Sequence, residues 1–149
     1  MRVGEVCNRE VVVINTDESV KVAAELMRKY HVGNVVVVEE RDGKRMPVGI
    51  VTDRDLMLEV LIPGLAAEDL AVRDVASAPL STVESGDSLF AAMELMETKA
   101  VRRLPVVEAD GSLGGILTID DLSELLSGLQ GQLAGVVNRQ RKMEAKRRP

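Results

Sequence analysis

Two stretches of the chain place polar side chains at one fixed spacing. GIVTDRDLM runs from Gly49 to Met57, and GILTIDDLS runs from Gly115 to Ser123. Each reads glycine, two aliphatics, threonine, two variable positions, aspartate, leucine. Threonine followed three residues later by an acidic residue has the spacing of a capping box. Thr52 with Asp55, and Thr118 with Asp121, therefore each suit a helix start. The same geometry also suits a ligand. A helix N-terminus offers free N–H groups to anions and polar oxygens. A carboxylate one turn in can accept hydrogen bonds from two neighbouring hydroxyls, as on a ribose. Spacing alone leaves both readings open: a plain cap, or a holder of sugar and phosphate that breaks no bond.

Residues for bond-breaking chemistry are not assembled. His31 is the only histidine and Cys7 the only cysteine, and the two lack metal-ligand spacing. Ala100 stands in the second copy where His31 stands in the first, so no Ser-His-Asp set forms, and His31 is read as structural. The doublets Asp53/Asp55 and Asp120/Asp121 are read as one anchor and one solvated carboxylate each rather than as a Mg²⁺ site. No catalytic residue, metal or required cofactor is expected, and the chain is not expected to be an enzyme.

Composition narrows the class further. Of the 149 residues, 46% are hydrophobic but only 1% aromatic, so the core must be aliphatic. Tyr30 and Phe90 provide no row of platforms for stacking single-stranded nucleic acid. A net charge of −5 argues against a broad phosphate-binding face. A single cysteine excludes a disulfide framework within one chain and suits a reducing compartment. MRVGEVCNRE lacks the apolar core of a signal peptide, and no run approaches membrane-spanning length. A soluble cytoplasmic protein is expected.

The elements that must position the two phrases are themselves duplicated. Val3–Leu61 overlays Val72–Leu126 at an offset of roughly 66–69 residues, the mark of an internal repeat. VGEV lies over VRDV, DESVKVAAELM over GDSLFAAMELM, VVVVEERDG over LPVVEADG. Each copy begins with a β-branched run, Val11–Ile14 or Leu80–Val83. A capping stretch then leads into a helix. Val20, Ala23, Ala24 and Met27 form its apolar stripe, matched by Leu89, Ala92, Met93 and Met96. Two strands follow, Val35–Glu39 with Val48–Val51, and Leu104–Glu108 with Gly114–Leu117. Asp42-Gly43 and Asp110-Gly111 between them favour tight hairpins. A second helix is predicted over Asp53–Leu61 and over Ile119–Leu126. The fold class is α/β (α+β), each unit β-α-β-β-α. The division is residues 1–62, a linker over 63–70, residues 71–127, and a C-terminal helix with a basic tail over 128–149. One unit alone buries too little apolar surface, so the two must pack together.

VGIVTDRDL, GGILTIDDL, VRRLPVV and this element order resemble a tandem pair of CBS (cystathionine-β-synthase) domains, often called a Bateman module. The resemblance covers Met1 to about Leu126. It implies two small sheets packed about a pseudo-twofold axis with two clefts between them. Members typically bind AMP, ADP, ATP or S-adenosylmethionine there. The family's ribose-binding positions fall on Thr52, Asp55, Thr118 and Asp121. The base positions fall on Val13, Ile14, Asn15 and Val35, and on Thr82, Val83, Leu104 and Pro105. Phosphate-binding positions fall on Arg102 and Arg103, for which the first copy has Gly33 and Asn34. Arg54, in the first turn of a predicted helix, where the dipole disfavours a cation, either neutralises Asp53 and Asp55 or reaches a phosphate. The expected function is a regulatory sensor of an adenosine-containing nucleotide that signals in trans through a homodimer, to an unidentified protein effector. The alternative is a nucleic-acid-binding regulator that uses the basic tail, from Arg139 to Arg148. The acidic body disfavours that alternative, and no membrane partner is expected.

Overall fold

The computed structural model describes residues 1–77 and 79–148. Ala78, in the second repeat, and Pro149, which ends the basic tail, lie outside the described residues. The order is α1 (Val3–Val6), β1 (Val13–Asn15), α2 (Val20–Tyr30), β2 (Asn34–Arg41), β3 (Lys44–Thr52) and α3 (Asp53–Leu56). α3 continues as a π turn over Met57–Leu61. The second half gives β4 (Val83–Glu84), α4 (Leu89–Lys99), β5 (Arg103–Val107), β6 (Leu113–Thr118) and α5 (Ile119–Arg147). Both halves build a three-stranded sheet, β1-β2-β3 and β4-β5-β6. In each sheet the first pair is parallel and the second antiparallel.

Local chemistry sets the boundaries. Ser19 and Ser88 cap α2 and α4, accepting from the N–H groups of Val22 and Ala91. The first hairpin turns on Asp42 and Gly43, both at positive φ, as a two-residue turn requires. The second hairpin differs from the tight turn expected. Glu108 N–H donates to Ser112 O, so Ala109, Asp110 and Gly111 form a wider loop with Gly111 at φ 84°. The loops meet: Lys44 from one hairpin pairs with Asp110 from the other. With Ser112, the Lys44 ammonium holds the Asp110 carboxyl well below the usual carboxylate range.

Strand alternation separates three apolar clusters. Val35, Val37 and Val51 face α2 in the first core, and Leu104, Val106 and Leu117 face α4 in the second. Val36, Val38 and Ile116 form a third cluster, where the two sheets meet. The helical stripes are narrower than expected. Val20, Ala23, Met27, Leu89, Ala92 and Met96 are buried, but Ala24 and Met93 are exposed, because the i+4 position falls at the edge of the packed face.

The repeats also exchange their leading segments. Val3 and Cys7 pack in the second core, and Val72 packs in the first. Main-chain bridges follow the pseudo-twofold: Arg2 with Ser88 and Ala71 with Ser19, then Asn8 with Ile116 and Ser77 with Ile50. The glycine that opens each repeated phrase permits this crossing. A Cβ on Gly115 would lie 2.8 Å from Asn8 O and 2.8 Å from Cys7 Sγ. On Gly49 it would lie 3.0 Å from Ala76 Cβ. Burial among these neighbours pushes the Cys7 thiol pKa up.

The helix ends carry a strain that the sequence hides. α2 and α4 stop at His31 and Ala100, at φ 55° and 53°. Their N–H groups close the last turns onto Met27 O, and onto Glu97 O and Met96 O. Glycine adopts that left-handed conformation without a Cβ penalty. His31→Gly is therefore expected to raise stability by about 0.5–1 kcal/mol, after allowing for the greater entropy of glycine in the unfolded chain. Thermal melts of the two proteins check it, and a lower midpoint for the glycine variant would count against it.

The largest departure from the expected elements lies at the C-terminus. α5 does not end near Leu126 but runs unbroken to Arg147. The basic tail is the end of this helix, and from Leu126 to Arg148 every residue is exposed.

Candidate functional site

Both threonine–aspartate pairs are capping boxes. Thr52 N–H donates to Asp55 Oδ2 at 2.8 Å, and Asp55 N–H donates to Thr52 Oγ1 at 3.1 Å. Thr118 N–H and Asp121 Oδ2 are 2.8 Å apart, and Asp121 N–H reaches Thr118 Oγ1 at 3.2 Å. The expectation of free N–H groups at these helix starts is corrected at α3. Asp53 N–H donates to Gly33 O, Arg54 N–H to Asp53 Oδ1, and Asp55 N–H to Thr52 Oγ1. These donors are already taken, one by Gly33 O and two within the turn, so recognition at this end falls to side chains. Each Asp spends Oδ2 on the cap, which leaves Oδ1 as an acceptor for another partner.

One cleft, of about 480 Å³, gathers groups from both repeats. The first repeat supplies Ile50, Thr52, Asp53 and Arg54. The segment before β4 supplies Ser77, Pro79, Leu80 and Ser81, and the approach to β5 supplies Ala100, Val101, Arg102, Arg103 and Pro105. Arg102 and Arg103 thus stand across from Thr52 of the first repeat. The exchange of leading segments explains this: Ser77 is bridged to Ile50, which brings the second repeat's first strand over the first repeat's phrase. Three arginines and one aspartate, Asp53, line this space.

Arg103 is the least satisfied of these groups. Its Nη1 is buried and has no hydrogen-bond partner among the described residues. A buried donor without an acceptor is costly, and more so when it is charged.

The pseudo-symmetric cleft, of about 570 Å³, is lined by Asn8, Glu10, Val11, Val12, Val13, Leu26, Tyr30 and Val32. It has no arginine and carries Glu10. Gly33 and Asn34 occupy the positions corresponding to Arg102 and Arg103. The two clefts therefore differ in charge even though both caps are intact. Thr118 and Asp121 are not among the residues lining this second cleft, and Asp55 is not among those lining the first.

The residues expected to hold a base are divided by strand phase. Pro105 lines the charged cleft and Val13 lines the other. Ile14, Val35, Val83 and Leu104 point into the two cores instead. Asn15 and Thr82 line neither cleft. Sequence reasoning missed Leu80, Ser81 and Ile50. The alternation along each strand was the available signal: with Leu104 inward, Arg103 and Pro105 face the other way.

His31 is exposed at its helix end. Among the described residues, no group of three or more His, Cys, Asp or Glu could hold a metal ion. No helix of the described residues is long and apolar enough to cross a membrane.

Comparison with known proteins agrees with this architecture. The profile of the CBS domain matches residues 3–62 and 72–128. An uncharacterised protein of Methanopyrus kandleri is 38% identical over 83% of the chain. The chain spans 61% of that relative's own length. The CBS domain-containing protein YhcV of Bacillus subtilis is 32% identical, covering 76% of this chain and 77% of that protein. A CBS domain protein of Pyrobaculum aerophilum, solved in complex with AMP, superposes with a TM-score of 0.73. It is 29% identical, over 82% of this chain and 90% of its own. On the matched repeats and the paired sheets, the chain belongs to the CBS domain family and forms a CBS pair, a regulatory module.

Proposed function

We propose that the protein is a sensor of an adenosine nucleotide, held in the cleft between Thr52 and Arg103, and that it signals in trans through a homodimer. The unpartnered buried Nη1 of Arg103 carries this reading. Arg54 and Arg102 line the same space, so the cleft suits a phosphate. Thr52 lines the cleft, and Asp55, hydrogen-bonded to it just behind the lining, keeps Oδ1 as an acceptor for a ribose hydroxyl. Ile50, Leu80 and Pro105 give an apolar slot for a purine, whose polar edge can bond main-chain groups. The AMP complex of the Pyrobaculum relative supports the ligand class.

The arginines favour AMP, ADP or ATP over S-adenosylmethionine, which brings a sulfonium cation and no phosphate. Regulation follows if the nucleotide binds one arrangement of the dimer better than another, because a ligand shifts an equilibrium only by its differential affinity. The partner that reads the change lies in trans.

A melting series tests the phosphate preference. At a hundredfold excess over Kd, AMP is expected to stabilise the protein by about 2.7 kcal/mol. Adenosine at the same concentration should give a much smaller shift. Equal shifts from AMP and adenosine would remove the arginines from the account.

A further inference from the structure

Past Leu125, α5 leaves the body and projects as a bare helix of about 30 Å. This length lies almost wholly beyond the matched second repeat, which ends at residue 128. It carries Gly128, Gly131 and Gly135, each a poor helix former, and a Cβ at any of them would meet nothing within 4 Å. An isolated helix of this length and composition is marginal in water. Its apolar residues are not scattered. Leu126, Leu129, Leu133, Val136 and Met143 follow alternating steps of three and four that continue from Leu122 in the second core, with Gln140 as the polar interruption. That is the seam of a two-stranded coiled coil. Leu133 and Val136 are 68% and 67% exposed.

At the helix base the seam opens into an apolar groove of about 490 Å³ between α4 and α5, where Phe90, Met93, Ile119 and Leu126 lie. Phe90 is 80% exposed. Charge fixes what can lie there. The base of α5 is acidic, with Asp120, Asp121 and Glu124. The tip is basic, with Arg139, Arg141, Lys142, Lys146 and Arg147 against Glu144. Two parallel helices would set one basic tip beside the other. Two antiparallel helices set each basic tip against an acidic base and also oppose their dipoles.

From this we infer that α5 is a dimerisation arm: the arms of two copies pair antiparallel, and the tip of each seats in the α4–α5 groove of the other. The arrangement is isologous, so the same surface serves both copies. It rests on the reading that the protein acts as a dimer, and it specifies which surface makes that dimer. A change in the angle between α4 and α5 of one copy would then move the arm of the other.

Cysteine crosslinking and light scattering of the full chain test it, with AMP binding measured alongside. In a Cys7→Ala background, Leu133→Cys lies near the dyad and is expected to form an intermolecular disulfide. Gln140→Cys is not, because antiparallel arms hold its two copies on the order of 15–25 Å apart, beyond disulfide reach. Leu133→Asp with Val136→Asp, at exposed sites that the fold does not need, should weaken dimerisation at least a hundredfold. AMP binding should remain. Crosslinking of Gln140→Cys as readily as Leu133→Cys would establish parallel arms and overturn the inference. A double-Asp variant as dimeric as wild type would overturn the arm and leave the dimer reading intact. A monomeric wild type would remove both, and salt-dependent binding of that monomer to anionic vesicles or to DNA would assign the helix to those surfaces instead.

Discussion

Arg103→Met is expected to weaken AMP binding at least tenfold while leaving the unliganded protein as stable as wild type, or more so. The two effects have one cause. Arg103 lines the charged cleft, and its Nη1 is buried without an acceptor among the described residues. In the free protein that nitrogen lacks the hydrogen bond that would offset its burial. Methionine keeps much of the aliphatic stem and removes the orphaned charge. In the complex, the same nitrogen gains a phosphate oxygen, and a charge-assisted hydrogen bond of this kind contributes about 1.5–3 kcal/mol. At about 1.4 kcal/mol per decade, that is roughly a tenfold to hundredfold change in Kd. Calorimetric titration gives the first effect and a denaturant melt the second. A variant that binds AMP normally but melts lower would show that Arg103 braces the fold.

Gly115→Ala is expected to cost about 2–3 kcal/mol of stability, within the range for overpacking a tight interior. The new methyl would sit 2.8 Å from Asn8 O and 2.8 Å from Cys7 Sγ. Neither can retreat cheaply. Asn8 is held by reciprocal main-chain hydrogen bonds with Ile116, each 2.9 Å. Cys7 packs in the second core, which allows it little movement. Gly49→Ala is the internal control, because its nearest neighbour is the side-chain methyl of Ala76 at 3.0 Å. It should cost less. Urea melts of the two variants measure the difference, and equal losses would mean that the closer approach of Asn8 and Cys7 at position 115 adds nothing to the cost.

The repeated phrase was legible because it combines several local rules that agree. A glycine, a short strand, a cap and a helix start recur in order, and the structure has both capping boxes. The hairpin at Asp42-Gly43 was legible for the same reason: only certain residues accept positive φ. Three features were not. The pairing of Arg102 and Arg103 with Thr52 depends on the exchange of leading segments, a tertiary event with no local signature. The phase of β1 and β5 was the second: adjacent residues on both faces were expected at the base, and in a strand one residue separates a core position from a cleft position. Leu104 and Pro105 show it: one is buried in the second core and the other lines the cleft. The continuity of α5 was the third: a helix to about Leu126 and a separate C-terminal helix from residue 128 were expected, and the two are one helix through Gly128.

The central claim is that one cleft of the pair, the one joining Thr52 to Arg103, takes the nucleotide. Calorimetric titration of AMP into wild type, Asp55→Asn and Asp121→Asn tests it most directly. Asparagine keeps an oxygen for the threonine N–H in each cap, so helix starts survive while the carboxylate is lost. The account predicts one AMP per chain, a weakening of roughly tenfold in Asp55→Asn from the lost charged acceptor, and an unchanged isotherm in Asp121→Asn. No heat with wild type, or a weakening in Asp121→Asn as large as in Asp55→Asn, would contradict it.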